Sequence, residues 1–156
     1  EGREFVHYIV FDLEFNQDPE SLLDLSLKPK NADKKKSILL KYPAGAVKLD
    51  GNFKLIDTFN RLVKPSIYSR VNPFVTELTG ITTESLLSEA TFDVVINEFS
   101  EFAKEEETIL CVWGMIDLKE LYRNVKYHNL DENLLPKRYI NIQPYVFVYN
   151  SERYSI

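Results

Sequence analysis

Tyr8-Ile9-Val10-Phe11-Asp12-Leu13-Glu14-Phe15 is an apolar run that carries two carboxylates two positions apart. In a β-strand, residues two apart share a face. Ile9, Phe11, Leu13 and Phe15 then form one apolar face, while Tyr8 and Val10 begin another that ends in Asp12 and Glu14. So apolar a strand is expected at the centre of a sheet, covered on both sides. Two adjacent carboxylates there would repel each other and lose hydration. A hard divalent cation such as Mg²⁺ or Mn²⁺, which prefers oxygen ligands, would offset both costs. A strand end at which both acids reach water explains the same residues, and this stretch alone leaves the two readings open.

The chain has 156 residues, enough for one domain with a real core and too few for two comfortable ones. The expectation is a single domain over residues 1–156. Hydrophobic content of 44% and aromatic content of 13% fit a folded protein. A net charge of −5 argues against a broadly basic nucleic-acid-binding surface. It leaves a nuclease possible, because metal ions can supply positive charge locally. The single cysteine, Cys111, cannot form an intrachain disulfide. No run is long and apolar enough to span a bilayer, and the N-terminus lacks a signal-peptide pattern, so the default expectation is a soluble cytoplasmic domain.

Outward from the first strand, 16–37 is a polar stretch whose basic run Lys34-Lys35-Lys36 reads as a solvated loop before it reads as a phosphate contact. Ala44–Leu49 and Phe53–Lys64 flank Asp50-Gly51-Asn52, a hairpin signal that suits a turn with positive φ. Pro43 cannot donate to a central ladder, so the second strand should start late or lie at an edge. Asn72-Pro73 opens a short helix that Gly80 stops, and Thr82 or Thr83 caps the next segment. Thr91 precedes a longer helix with Phe92, Val95, Ile96, Phe99 and Phe102 at helical spacing, a pattern of core residues. Residues 108–113 read as a buried strand, Gly114 breaks it, and Asp117 to Tyr127 forms an amphipathic helix. Tyr139–Ile142 is the last short strand. The order predicts an α/β domain with a mixed sheet and flanking helices.

Trp113-Gly114-Met115-Ile116-Asp117 follows the buried strand. If that strand and the first lie side by side and parallel, their C-terminal ends share a rim where ligands of open α/β sheets sit. Asp117 would then face Asp12 and Glu14. Taken alone, Asp117 reads first as an acid that complements the helix dipole; joined to Asp12 and Glu14, the metal reading gains.

Three ordered blocks now stand together: Asp12-Leu13-Glu14, Asn72-Pro73-Phe74-Val75-Thr76-Glu77-Leu78-Thr79-Gly80-Ile81-Thr82, and Trp113-Gly114-x-x-Asp117. With Gly45-Ala46-Val47-Lys48-Leu49 between the first two, they resemble the DnaQ-like (DEDDh) 3′–5′ exonucleases, most closely the bacterial relatives of RNA-trimming enzymes. The resemblance covers about residues 7–156. It implies a ribonuclease-H-like fold and two-metal hydrolysis of phosphodiester bonds at single-stranded nucleic-acid 3′ ends, RNA favoured over DNA. By that resemblance Asp12 would bind both Mg²⁺ or Mn²⁺ ions, Glu14 the ion that activates water, and Asp117 the other. Phe15 and Leu78 would bracket the terminal nucleotide, and Thr79 with the backbone around Gly80 would approach its 3′ sugar. For Phe15 a core position, and for Leu78 a staple at a helix end, account for the residues as well.

The chain departs from the family in its third block, a general-base His followed five residues on by a fourth metal-binding Asp. His7 precedes the first strand and His128 lies in His-Asn-Leu-Asp, and neither fits. Arg153-Tyr154-Ser155-Ile156 looks like the start of the helix that leads to that block, so the expectation is a domain incomplete at its C-terminus and weak or inactive alone. The rival expectation is a catalytically incomplete module that binds nucleic acid or protein on the same fold.

Overall fold

The computed structural model describes residues 6–15, 41–66, 70–104 and 107–146, with backbone only for 14–15 and 41–44. The polar stretch with Lys34–Lys36 and the segment Arg153–Ile156 lie outside the described residues. Strands β1 (His7–Phe15), β2 (Lys41–Leu49) and β3 (Leu55–Arg61) are followed by helices α1 (Pro73–Thr79), α2 (Thr83–Leu86) and α3 (Phe92–Phe102). Then come β4 (Thr108–Val112), α4 (Ile116–Tyr127), a 3₁₀ turn at Glu132–Leu134, and β5 (Tyr139–Asn141).

The five strands lie in the order β3-β2-β1-β4-β5, which puts β1 at the centre. β1–β2 and β2–β3 are antiparallel, whereas β1–β4 and β4–β5 are parallel. This is a mixed sheet with flanking helices, the ribonuclease-H-like arrangement.

One sheet face carries the core. Ile9, Phe11 and Leu13 alternate inward along β1, and α3 supplies Phe92, Val95, Ile96 and Phe99 at the expected spacing. α4 adds Leu118, Leu121 and Val125. Phe99 meets Phe11 and Phe59 edge-on, with ring centroids 6.1 and 5.5 Å apart. Under this packing remains an apolar cavity of about 30 Å³, lined among others by Phe11, Leu13, Val63, Phe92 and Leu121. Among the described residues, no helix is long and apolar enough to cross a membrane.

The helix ends follow their sequence signals. The Asn72 side chain accepts from the Phe74 N–H (2.9 Å), Pro73 occupies the first turn, and Gly80 closes α1 at φ 75°. Thr82 and Ser85 form a reciprocal capping box on α2.

Three local expectations are corrected. The second strand starts at Lys41, before Pro43, and lies between β1 and β3. The ladder passes from Leu13↔Ala44 to Glu14↔Tyr42, so Pro43 is the unpaired residue of a bulge. On its other edge β2 pairs with β3 from Ala44 onward, so the missing N–H of Pro43 breaks no ladder bond on either side. In the hairpin, the positive φ (62°) falls on Phe53, not on Gly51. The Asp50 carboxylate, which accepts from the N–H groups of Asn52 (2.8 Å) and Lys54 (2.9 Å), ties that turn. Finally, β1 is not covered on both sides: Tyr8 and Val10 are half-buried and Asp12 is exposed. Among the described residues, β4 is the strand buried along its full length.

Candidate active site

β1 and β4 run side by side, with Val10↔Cys111 as their last pair. Beyond it both chains reach the same C-terminal rim. Asp12 stands two residues past Val10, on the exposed face of β1, directly opposite Gly45 of β2. From β4 the chain passes through Trp113 and Gly114 into the first turn of α4, which holds Asp117, 7% exposed. Adjacent strands lie about 4.8 Å apart, so the two acidic segments rise from neighbouring positions on the rim. Glu14 follows Asp12 by two residues on β1, next to the Pro43 bulge of the partner strand. Bulges beside functional sites re-aim the strand that carries them. The side chains of Glu14 and Phe15 lie outside the described residues.

α1 and α2 are anchored where β3 ends. Val71, Val75 and Leu86 pack with Leu62 and Ile81 in a small separate cluster. Since β3 and β1 are both antiparallel to β2, that end belongs to the same rim. Leu78 is 69% exposed, so it does not act as a staple at the helix end. The Thr79 hydroxyl donates to the Val75 carbonyl (2.7 Å) and accepts from the Ile81 N–H (3.2 Å). With its proton committed, Thr79 has only a lone pair to offer an incoming hydroxyl.

The Trp113-Gly114 turn is held from β5 by Asn141, a residue that the sequence reading did not single out. Its Oδ1 accepts from the Gly114 N–H (3.0 Å) and from the Gln143 N–H (3.2 Å). The Ile142 N–H donates to the Val112 carbonyl (2.9 Å). Gly114 itself has φ 80°, and a Cβ there would lie 3.2 Å from Gln143 Oε1. Its bond to Gln143 is local, two residues on, but its grip on the Gly114 turn has no sequence-local signal, because that partner lies 27 residues earlier. One turn along α4 from Asp117, Glu120 is also buried and pairs with Arg123 at 2.6 Å.

The two histidines stand elsewhere. His128 ends α4, about 16 Å along the helix from Asp117 at 1.5 Å per residue. It stacks on Phe92 (ring centroids 5.0 Å apart), and Ser66 Oγ lies 3.5 Å from its Nε2. Burial pushes its pKa below the usual histidine value, against the attraction of Asp93. His7 begins β1 at the opposite edge of the sheet from the rim.

For a cation, the described donors at the rim are carboxylate oxygens, the chemistry that Mg²⁺ and Mn²⁺ take. Asp12 is exposed to receive one. Among the described residues no three His, Cys, Asp or Glu side chains converge as a ready metal cluster. That set omits the Glu14 side chain.

A central strand with an acidic end, a parallel neighbour that delivers a second acid, and an antiparallel hairpin on the other side define a protein of the ribonuclease-H-like class. An exonuclease family model, RNase_T, matches residues 9–139, and the chain belongs to that family, of the DEDDh type. Solved structures share its fold. One is the nuclease domain of 3′hExo, a DEDDh family member, bound to rAMP: TM-score 0.70, 21% identity, 94% of this chain and 72% of that one covered. Another is the cell-death related nuclease 4 (CRN-4): TM-score 0.71, 22% identity, 98% of this chain and 50% of that one. A third is E. coli Exonuclease I in complex with a dT13 oligonucleotide: TM-score 0.68, 14% identity, 97% of this chain and 31% of that one. The chain thus spans half or less of the last two. No curated protein matches the sequence.

Proposed function

We propose that the chain is the metal-binding part of a 3′–5′ exonuclease acting on single-stranded ends, RNA favoured over DNA. The observation that carries this reading is the exit of Asp12 and Asp117 from adjacent parallel strands at one rim, in a chain of an exonuclease family. Asp12, Glu14 and Asp117 would hold Mg²⁺ or Mn²⁺. When bound, such ions activate a water and stabilise the leaving oxygen of a phosphodiester. The chain's own residues do the rest. Phe15 and exposed Leu78 would flank the terminal base, and the Thr79 oxygen would accept from a sugar hydroxyl. Asn141 fixes the turn from which Asp117 departs.

Neither of the two histidines of the sequence stands at the rim, so neither would serve as a general base there. General-base help is worth about 10²–10⁴-fold, and the chain alone should be slower by that order.

The test is digestion of 5′-labelled single-stranded RNA and DNA oligonucleotides with Mn²⁺ at protein excess. Slow shortening from the 3′ end, lost in Asp12→Asn, is the expected result. Shortening that survives Asp12→Asn would refute the site. Oligonucleotide binding without any Asp12-dependent shortening would make the chain a binding module on an exonuclease fold.

A further inference from the structure

The cross-strand neighbour of Asp12 is Gly45. It sits in regular register with β1 on one side and with β3 (Gly45↔Asn60) on the other. A glycine in the interior of a strand weakens it relative to alanine and needs a reason. Backbone conformation is not the reason: among the described residues, the glycines with positive φ are Gly80 and Gly114. The bulge is not the reason either, since it falls at Pro43. Crowding is also excluded, because a Cβ built at Gly45 meets nothing within 4 Å.

What the missing side chain does is open the surface beside Asp12. Directly opposed residues of an antiparallel pair have Cβ atoms about 5 Å apart on one face. Any side chain at 45 would therefore stand against the Asp12 carboxylate. On the other flank of Asp12, β4 has already ended and the chain turns through Gly114. Asp12 is exposed on the central strand of the sheet, with bare Gly45 on its β2 flank and Trp113, which follows the end of β4, on the other.

We infer that Gly45 is a clearance residue, whose bare backbone receives the phosphate of the 3′-terminal nucleotide next to the Asp12 carboxylate. The inference rests on the proposed nuclease reading and names a residue that sets what fits there. A side chain at 45 should leave the fold and the bare cation site intact while excluding the nucleotide.

The experiment compares wild type, Gly45→Ala, Gly45→Val and Asp12→Asn by thermal melting, by titration with Mn²⁺ alone, and by titration with AMP in the presence of Mn²⁺. Gly45→Ala should melt at or above the wild-type temperature. Both Gly45 variants should bind Mn²⁺ like wild type, with AMP affinity falling about threefold for Ala and at least about tenfold for Val. AMP binding by both variants within about twofold of wild type would overturn the inference, as would loss of Mn²⁺ itself in Gly45→Ala. If the valine variant does not fold, the alanine variant decides. A wild-type chain that binds neither Mn²⁺ nor AMP would instead remove the nuclease reading, and this inference with it.

Discussion

Replacing Asn141 by Leu keeps the volume of the side chain and deletes its acceptor. Two backbone donors, the N–H groups of Gly114 and Gln143, then lose their partner. A neutral hydrogen bond contributes about 0.5–1.5 kcal/mol net. Asn141, Gly114 and Gln143 are all half-buried, so water can replace part of each bond and the lower half of that range applies. The expected cost is about 1–2 kcal/mol for the pair. At about 2–4 °C per kcal/mol for a chain of this size, the thermal midpoint should fall by about 2–8 °C. Circular dichroism melting in 0.15 M salt measures it. Asn141→Asp is the control, because a carboxylate still accepts from both N–H groups and should melt close to wild type. The loosened turn carries Asp117, so Asn141→Leu should also weaken Mn²⁺ binding where Asn141→Asp does not. A Leu variant that melts with the wild type, or an Asp variant that falls as far as Leu, would refute the clamp.

Gly114→Ala should lose about 1–2 kcal/mol in urea unfolding, since an L-residue at φ 80° is strained and its Cβ would press Gln143. Wild-type stability should decline as pH drops below about 6.5, the unfolded histidine value, because burial lowers the folded pKa of His128 and the unfolded state then binds the extra proton. His128→Phe should flatten that slope in pH-dependent urea melts. Calorimetry with Mn²⁺ should show binding to the wild type and none to Asp12→Asn; equal affinity would count against the site.

Much of this fold was legible because its signals are local. The alternation through Ile9, Phe11 and Leu13, the Asn72-Pro73 start and Gly80 stop of α1, and the spacing from Phe92 to Phe99 each depend on neighbours within a turn or two. What escaped depends on a partner strand. Pro43 looked incompatible with a central strand, and only the ladder shows how it fits: β3 ends opposite Ala44, at Arg61, and Pro43 is the one β2 residue left unpaired between Leu13 and Glu14 of β1. The positive φ moved from Gly51 to Phe53 because the Asp50 carboxylate organises the turn around its own two hydrogen bonds. Of the candidate site, the acids and the glycine turn were visible as motifs. Asn141 was not, and Gly45 was visible only as the start of the Gly-Ala-Val-Lys-Leu stretch, since what faces each of them across the sheet is not written in their local sequence.

The apolar cavity between sheet and helices has a volumetric consequence. Its lining carries no polar group, so although about 30 Å³ exceeds what one water needs, it should stay dry. Unfolding floods that space, and because the volume of unfolding scales with the internal void eliminated, this cavity adds to the contraction. Hydrostatic pressure therefore attacks the protein at the contact between β1 and α3. Val95→Ile or Val63→Ile, which put a methylene into the void, should make the fold less compressible and shift pressure unfolding upward without touching the rim.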